Sequence, residues 1–332
     1  MISGRHNTRK TTLALLLTLM PLLLFALECN VCGKQIRGNY IKSKNKVFCS
    51  RSCFRSILPK CFNCDEPCEK SILRMFDKTF CSKRCMHAHF KCSLCGKGLD
   101  RVIVVENPQK ESRMYCADCR NREKCFFCML PCIPVPEVTD RNMCGKCYSQ
   151  AVTDEEDIRH IFNVVRKNLA RLFNFDDKHK IELKIVTADE LKKIKGVEYT
   201  PPDSNRIGLM QFSQQLLEKR TRSGKLIEKR VTKEICRIYL LTATPRAVLI
   251  DAIAHELTHD HIRHTRGKVN DLAAEEGFCE LVAYLHNSKI GNGKLNKNKE
   301  VNKDPVYGGG FRKMRNIYRK TGSLEKTLEY VR

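Results

Sequence analysis

The sequence predicts an α+β protein in two parts, with small cysteine-rich modules first and a larger domain of helices and strands after them. The chain has 332 residues and 20 cysteines, and all but two of those cysteines precede residue 150. The C-terminal part instead shows apolar residues at helical and strand spacing. A chain of this length has room for about two domains. We therefore expect a leader at residues 1–26, a cysteine module at 27–150 and a mixed domain at 151–332.

The first 26 residues have the composition of a signal peptide. A basic segment contains Arg5, Arg9 and Lys10, and the apolar stretch after it, Leu13 to Ala26, is too short to span a membrane comfortably. An uncleaved membrane anchor is the alternative. The first interpretation predicts an exported protein, periplasmic or secreted, and the second a membrane-anchored protein whose domains lie outside the cytoplasm.

Sixteen cysteines fall into four sets that share one arrangement along the chain. Each set consists of two close pairs separated by a loop, which is the spacing of a tetrahedral four-cysteine zinc site. The sets are Cys29, Cys32, Cys49 and Cys53; Cys61, Cys64, Cys81 and Cys85; Cys92, Cys95, Cys116 and Cys119; and Cys125, Cys128, Cys144 and Cys147. We expect each set to hold one structural zinc ion, Zn²⁺. Because exported proteins usually use cysteine for disulfides, disulfide bridges remain the alternative.

A longer repeat groups the four sets into two units. The pattern C-F-x-C-x-x-P-C begins at Cys61 and again at Cys125, 64 residues later. Each two-finger unit resembles a LIM domain, although all its assigned ligands are cysteine and its internal spacer is longer than usual. Two further cysteines of this module, Cys68 and Cys132, lie outside the sets. We expect them to pack as small apolar side chains, and a mutual disulfide or ligand exchange is the alternative.

The C-terminal domain is expected to begin with a helix and then to mix strands, helices and loops. The signal Thr153-Asp-Glu-Glu156 predicts the start of the first helix, and apolar residues at helical spacing follow it. The next predicted elements are a strand at Ile181–Val186, a short helix at Ala188–Lys195, a loop at Pro201–Asn205 and a charged hairpin tip or protease-sensitive loop at Lys219–Lys233. The apolar run Ile207–Leu217 is ambiguous.

A strand followed by a helix leads to the strongest candidate for a reactive site. Residues Ile235 to Thr242 are rich in β-branched and aromatic side chains, as strands are. Thr244 suits the N-cap of a helix and Pro245 suits its first position. Apolar residues at helical spacing continue the pattern beyond Pro245.

This predicted helix contains the motif His-Glu-x-x-His at residues 255–259. Residues i and i+4 lie on one face of a helix, so His255 and His259 can hold one metal ion together. Glu256 lies about 100° round the helix from His255, at the edge of that face. Zinc metalloproteases use this arrangement, with the glutamate as general base. We therefore predict one catalytic Zn²⁺ and assign Glu256 a catalytic role.

A catalytic zinc takes three protein ligands and keeps an open position for water. A second helical pattern supplies Glu276, 17 positions after His259, which leaves enough chain for a turn and a returning helix. We assign Glu276 as the third ligand. Glu280 lies one helical turn further on the same face and is assigned to orient His255, with a surface charge as the alternative. Glu275 is expected to be solvated.

The remaining candidates are two histidines and a tyrosine. His261 and His264 lie about 240° and 180° round the helix from the first motif histidine, so we expect them to face solvent or a partner. Tyr307 is a candidate catalytic donor to the oxyanion, with a packed turn residue as the alternative. The segment Asn287–Lys303 is expected to be a linker or surface loop, and the glycine-rich turn Asp304–Gly310 to lead into a final helix pair.

Three stretches of the sequence resemble one family of peptidases. They are Thr242–His259, which ends in A-H-E-L-T-H; Glu275–Leu285, which begins E-E-G-F like the N-E-G-F signature of zinc aminopeptidases; and Asp304–Arg312 together with the tail Leu324–Arg332. With the preceding fingers, they resemble DA-one-like peptidases, the ubiquitin-activated growth regulators of plants and their bacterial relatives. The likeness is weakest between Ala188 and Lys233, and the family's ubiquitin-interacting segments have no visible counterpart. It implies a zincin-like metallopeptidase domain that hydrolyses peptide bonds of protein substrates, with Glu276 as a zinc ligand.

The formal net charge of +24 bears on the partners. A basic protein attracts anionic partners such as membrane surfaces, cell-wall polymers or nucleic acid. A lysine-rich solvated surface explains the charge more simply, and aromatic residues are not interleaved with basic ones as a nucleic-acid platform requires. We expect a protein or peptide substrate and a protein partner at the fingers, with contact to anionic surfaces as a lesser expectation. The alternative to an enzyme is a non-catalytic zinc-finger protein that binds a protein partner or nucleic acid.

Overall fold

The computed structural model describes residues 27–176, 178–194, 206–221, 223 and 226–332. The predicted signal peptide at 1–26 and the predicted loop at Pro201–Asn205 lie outside the described residues. Within the described ranges, no helix is both long enough and apolar enough to cross a membrane. The chain divides into two compact units, one up to His89 and one from Phe90 to Arg332.

The first three fingers are short antiparallel hairpins, each followed by a short helix. Their elements are β1 (Ile41–Ser43), β2 (Lys46–Phe48) and α1 (Arg51–Ser56); β3 (Leu73–Met75), β4 (Lys78–Phe80) and α2 (Lys83–His89); and β5 (Ile103–Glu106), β6 (Ser112–Tyr115) and α3 (Ala117–Arg120). The fourth finger ends in α4 (Gly145–Tyr148). The last cysteine of each set lies on the helix of its finger.

The four cysteine sets converge as predicted. In each set the four sulfur atoms lie within 4.8 Å of one another, and the Sγ atoms of Cys32 and Cys49 are 3.5 Å apart. Four thiolates at about 2.3 Å from one zinc ion would be about 3.8 Å apart, whereas a disulfide needs about 2.05 Å. All the cysteines are free, and Cys68 and Cys132 are buried. The sets therefore fit structural zinc, and the two spare cysteines pack in the interior.

The first helix of the C-terminal part follows a two-residue strand. This strand is β7 (Ala151–Val152), and the helix is α5 (Glu155–Phe173). Asp154 is the N-cap and accepts a hydrogen bond from the backbone of Asp157, so the predicted cap at Thr153 is wrong by one residue. The buried apolar stripe consists of Ile158, Ile161, Phe162, Val165 and Leu169. This stripe packs into the main core with residues of the sheet and the later helices.

Three strands form the central sheet, in the order β8–β10–β9. β8 (Ile181–Val186) lies parallel to β10 (Leu226–Leu241), and β9 (Gly208–Arg220) lies antiparallel to β10. The ambiguous run Ile207–Leu217 is therefore most of β9, a strand at one edge of the sheet. The predicted strand Ile235–Thr242 forms the C-terminal half of β10.

Two predictions near this sheet are confirmed in part. The short helix after β8 is α6 (Ala188–Lys193), and it begins with a capping box between Thr187 and Glu190. The charged segment Lys219–Lys233 belongs to the hairpin that joins β9 to β10, so most of it extends the two strands. The longer strands place more of the charged residues on the sheet than the composition suggested.

Two long helices, α7 (Arg246–Arg266) and α8 (Leu272–Lys289), carry the candidate site. The predicted N-cap at Thr244 is wrong, because Thr244 and Pro245 form strand β11, which pairs with β7. Pro245 is instead the residue that precedes the helix. The Thr244 hydroxyl donates to the backbone oxygen of Leu241 at 2.6 Å, so it is committed to the strand end rather than to the helix.

The predicted linker Asn287–Lys303 is wrong. Helix α8 continues to Lys289, a 3₁₀ turn covers Gly293–Leu295, and a further helix, α9, covers Asn296–Val301. Lys299 on α9 has a relative exposure of 7 %. A lysine is rarely buried without an ionic partner. The polar composition of this segment therefore reflects buried ionic contacts of a packed helix and not a solvated linker.

The final helices are α10 (Gly310–Thr321) and α11 (Leu324–Leu328), which confirms the predicted pair. The glycine-rich turn before them is one turn of π-helix at Pro305–Gly309, capped by Asp304. Gly277 on α8 lies against Gly310: a Cβ at Gly277 would be 2.2 Å from the Gly310 carbonyl carbon. Two glycines therefore let the backbones of α8 and α10 touch.

The fourth finger packs against the C-terminal part within the second compact unit. Arg141 donates to the backbone oxygens of Thr242 and Ala243 at 2.7 and 3.1 Å, just before β11. Asp140 accepts from the backbone nitrogen of Ala188 at 2.6 Å, at the start of α6. Arg141 and Asp140 also pair with each other at 2.7 Å. This finger is thereby tied to the start of α6 and to the segment that follows β10.

Candidate metal centre

Helix α7 presents the two motif histidines on one face, as the spacing predicted. The Nε2 atoms of His255 and His259 are 3.2 Å apart. The side chains are only 11 % and 13 % exposed. The two imidazoles therefore converge on one partly enclosed point.

Glu276 on α8 brings a third donor atom to the same point. Its Oε2 lies 3.1 Å from His255 Nε2 and 3.5 Å from His259 Nε2. Ligands at about 2.0 to 2.2 Å from a tetrahedral zinc ion would be about 3.3 to 3.6 Å apart. Burial acts to raise the pKa of Glu276, but the facing histidines His259 and His255 outweigh it and hold that pKa well below its usual range. Glu276 is therefore a carboxylate, and the three donors fit a zinc ion.

The other nitrogen of each histidine is held by a second glutamate of α8. His255 Nδ1 lies 3.2 Å from Glu280 Oε1, and His259 Nδ1 lies 2.9 Å from Glu275 Oε1. The role predicted for Glu280 thus agrees with the geometry. The solvated role expected for Glu275 is wrong, because α8 crosses α7 closely enough for successive residues to reach different histidines. Such partners fix the tautomer and the ring orientation of ligating histidines.

Cys279 is a residue of this site that the sequence analysis missed. It is fully buried on α8, and its sulfur lies within 4.8 Å of donor atoms of His255 and His259. Burial raises the pKa of this thiol, so it is neutral at physiological pH. A signal for it existed in the spacing, because Cys279 follows Glu276 by three residues and shares its helix face.

Glu256 is buried beside the donors and points to strand β9. Its relative exposure is 7 %. A Cβ placed on Gly208 would be 2.7 Å from Glu256 Cγ and 2.8 Å from its Oε1, so the side chain lies directly on the strand backbone. The backbone of Met210 hydrogen-bonds to the carboxylate, and burial raises the pKa of Glu256. A carboxyl group in this setting can accept and return a proton.

Tyr307 lies beside the first histidine. Its ring centroid is 6.2 Å from that of His255, with the planes at 20° to each other. Burial raises the pKa of the phenol, so the hydroxyl keeps its proton. The π-helical turn Pro305–Gly309 thus brings Tyr307, the candidate donor predicted from the sequence, beside His255.

A buried lysine completes the surroundings of His255. Lys299 Nζ lies 2.6 Å from Glu280 Oε2 and 3.0 Å from Asp251 Oδ1. Burial acts to raise the pKa of Glu280, but Lys299 and His255 outweigh it and lower that pKa to about 2. The roles of Lys299 and Asp251 were not predicted, because their separation along the chain gives no spacing signal.

His261 and His264 lie away from the donor atoms, as predicted; His264 is exposed, whereas His261 is half-buried. His261 stacks on Phe175 with ring centroids 3.8 Å apart, and burial lowers its pKa to about 4. The His264 Nδ1 atom lies 2.8 Å from the backbone oxygen of Asp260. Asp260 also pairs with His179 at 2.6 Å. The far side of α7 is therefore packed against the chain itself.

Fold and donor set together define a class of protein: four cysteine zinc fingers joined to a small mixed sheet with a two-helix candidate metal site. A family model described as DA1-like, Protein DA1, matches residues 174–300. The chain is 23 % identical over 368 residues to Protein DA1 of Arabidopsis thaliana. This alignment covers 91 % of this chain and 66 % of that protein. The matched segment contains α7, α8 and all but the last residue of α9. Both comparisons support the resemblance to the DA1-like family.

Other relatives resemble the chain over a shorter length. It is 28 % identical over 111 residues to thyroid receptor-interacting protein 6 of Mus musculus. This alignment covers 32 % of this chain and 22 % of that protein. It is 25 % identical over 132 residues to zyxin of Homo sapiens, which covers 36 % of this chain and 22 % of zyxin. Both relatives are LIM-domain proteins, which supports the LIM-like assignment of the fingers. The chain spans only about a fifth of either relative.

Proposed function

We propose that the protein is a zinc-dependent peptidase whose fingers bind a protein partner or substrate. The observation that carries the proposal is the convergence of His255 Nε2, His259 Nε2 and Glu276 Oε2 within 3.5 Å, with Glu256 buried beside them. Three nitrogen and oxygen donors with a neighbouring carboxylate suit hydrolysis better than structural binding, which takes four protein ligands.

The residues divide the chemistry among themselves. Zinc bound by His255, His259 and Glu276 would supply an acidified water and polarise the scissile carbonyl. Glu256 accepts the proton of the attacking water and passes it to the leaving amine, so that one carboxylate acts first as base and then as acid. Tyr307 donates a hydrogen bond to the oxygen that gains negative charge.

Strand β9 offers a place for an extended peptide. Among the described residues β9 pairs with β10 and lies at one edge of the three-stranded sheet, the position at which extended peptides add to sheets. The Glu256 side chain, which extends from α7, contacts this strand at Gly208. A peptide bound along β9 would therefore pass the proposed base, which favours cleavage within or near an extended segment of a protein substrate.

The fingers support a second candidate function, protein binding without catalysis. The similarity to zyxin and to thyroid receptor-interacting protein 6 favours this candidate, since both are LIM-domain proteins. In that case the metal at α7 and α8 would stabilise the fold only. A partner captured by the fingers of a catalytically silent protein with intact zinc would favour this candidate.

The test of the peptidase proposal is cleavage of a peptide library by the protein from Leu27 onward, read by mass spectrometry. Glu256→Gln keeps the shape of the side chain and removes its base, so it is the matched control. We expect cleavage by the wild type and a loss of at least about 100-fold in the variant. Equal cleavage by both proteins, each with zinc bound, would contradict the proposal.

We also propose that the protein is exported, on the composition of residues 1–26. The test is N-terminal sequencing after expression of the whole chain in a bacterial host. A mature terminus near Leu27 in the periplasm or medium supports export, and a membrane-bound chain that retains residues 1–26 supports the anchor. An intact chain in the cytoplasm contradicts both.

A further inference from the structure

A closed chain of charges runs from the metal site through α9 and back to α7. His255 Nδ1 contacts Glu280 Oε1 at 3.2 Å, and Glu280 Oε2 contacts Lys299 Nζ at 2.6 Å. Lys299 Nζ also contacts both oxygens of Asp251, at 3.0 and 3.1 Å. Asp251 lies on α7 one helical turn before His255. The circuit therefore starts and ends on the helix that carries the histidines.

Both oxygens of the Glu280 carboxylate have partners in this network of ion pairs. Its Oε2 is fixed by the ammonium of Lys299, which leaves Oε1 directed at His255 Nδ1. A proton on Nδ1 leaves the lone pair of Nε2 free for a metal. The orientation and tautomer of His255 thus depend on a carboxylate whose own direction is set by Lys299.

The position of Lys299 is itself fixed by amides around it. Asn287 donates to Asp251 Oδ1 at 2.6 Å, and Asn296, on the same helix as Lys299, donates to the backbone oxygen of Tyr284 at 3.0 Å. These contacts join α7, α8 and α9 behind His255. Lys299 is 7 % exposed, so water competes little for its ammonium.

We propose that Lys299 is a positioning residue of the metal centre, which holds Glu280 against His255 and so tunes the zinc affinity of the site formed by His255, His259 and Glu276. The inference rests on the proposed zinc site but not on peptide cleavage. If zinc binds and no peptide is cut, the peptidase proposal fails while this one is still tested by affinity.

The experiment measures the affinity of the fifth zinc ion, defined as the one lost in His255→Ala, by competition with a chelator. Lys299→Met keeps the length and apolar stem of the side chain and removes its charge. Lys297→Met, on the exposed side of the same helix, is the matched control. We expect Lys299→Met to weaken the fifth zinc by about 10- to 100-fold, as outer partners of metal ligands do, and Lys297→Met to leave it unchanged.

A double variant separates positioning from a general loss of folding. If Lys299 acts through Glu280, then Lys299→Met in a Glu280→Gln background causes little further loss, because the two changes break one circuit. Multiplied losses in the double variant would overturn the proposal, as would an unchanged affinity in Lys299→Met. A wild-type protein with only four zinc ions would overturn both this inference and the peptidase proposal.

Discussion

At the scale of single residues, the surroundings of Glu256 show how a distant part of the chain sets a reactive group. The motif itself specifies only that Glu256 is next to His255. Its burial and direction come from Gly208 and Met210 on β9, almost fifty residues earlier in the sequence. The absence of a side chain at Gly208 creates the space in which the carboxylate lies.

Gly208→Ala should therefore displace the proposed base without touching the metal ligands. The added Cβ would lie 2.7 Å from Glu256 Cγ, and a shift of about 1 Å at a reactive group can cost about 100-fold in turnover. We expect kcat for the best library peptide to fall by roughly that factor, with the fifth zinc retained. Gly293→Ala is the matched control, since a Cβ there meets nothing within 4 Å. Loss of zinc together with activity would show that Gly208 supports the fold and not the base.

Helical spacing alone located most of the candidate site, but its limits are visible in two residues. Positions i and i+4 placed His255 and His259 together and aligned Glu280 with Glu276. The solvated role expected for Glu275 is wrong, because helical spacing within α8 does not show how closely that helix crosses α7. Lys299 was missed because a contact between separate helices leaves no periodic trace in the sequence.

At the scale of elements, the crossing of α8 and α10 fixes the helix that supplies Glu276. Gly277 directly follows Glu276, the proposed third ligand, and Gly310 begins α10. A Cβ at Gly310 would lie 2.1 Å from the backbone oxygen of Ala273 and 3.1 Å from the Cα of Gly277. The helices therefore touch backbone to backbone, where no flexible side chain can make room.

Gly310→Ala should destabilise the protein. Forced overpacking of this kind costs typically about 1 to 3 kcal/mol, and here the obstructing atoms belong to the backbone. The free energy of unfolding, measured in urea, should fall by at least this amount. Gly309→Ala is the control: its Cβ would have one neighbour within 4 Å, at 3.8 Å, so we expect no loss. Equal stability of the two variants would contradict the close crossing.

Elements with a clear apolar period were predictable, and those stabilised by other contacts were not. The strand β8 and the helices α5 and α7 agree closely with the prediction. The run that became β9 was ambiguous because its residues suit either class, and pairing with β10 decides the outcome. Helix α9 looked like a linker because its stabilising contacts are buried polar ones.

At the scale of the whole molecule, the compact units divide inside the finger array. The second unit begins at Phe90 and contains the last two fingers, the three-stranded sheet and helices α7 and α8. Met143 and Leu130 of the fourth finger share a buried cluster with Ala243, which precedes β11. The tandem repeat of the sequence gives no hint that its two copies have such different neighbours.

Two truncations test this division. A protein that begins at Phe90 should unfold cooperatively with a melting temperature close to that of the protein from Leu27. A protein that begins at Ala151 loses the fourth finger, uncovers the buried Ala243 and leaves the backbone oxygen of Thr242 without Arg141. We expect a clearly lower melting temperature for the second protein, measured by circular dichroism. Equal melting temperatures would place the functional boundary at 150 instead.

The central claim is that the zinc held by His255, His259 and Glu276 carries peptide hydrolysis, and one titration tests it most directly. The best library peptide is offered to wild type and to Glu256→Gln while the occupancy of the fifth zinc site is raised from empty to full. We expect wild-type turnover to rise in proportion to that occupancy, and the fully occupied variant to stay at least about 100-fold slower. Turnover that does not change with the occupancy of the fifth zinc site, or that is equal in the two proteins, would contradict zinc-dependent hydrolysis at this site.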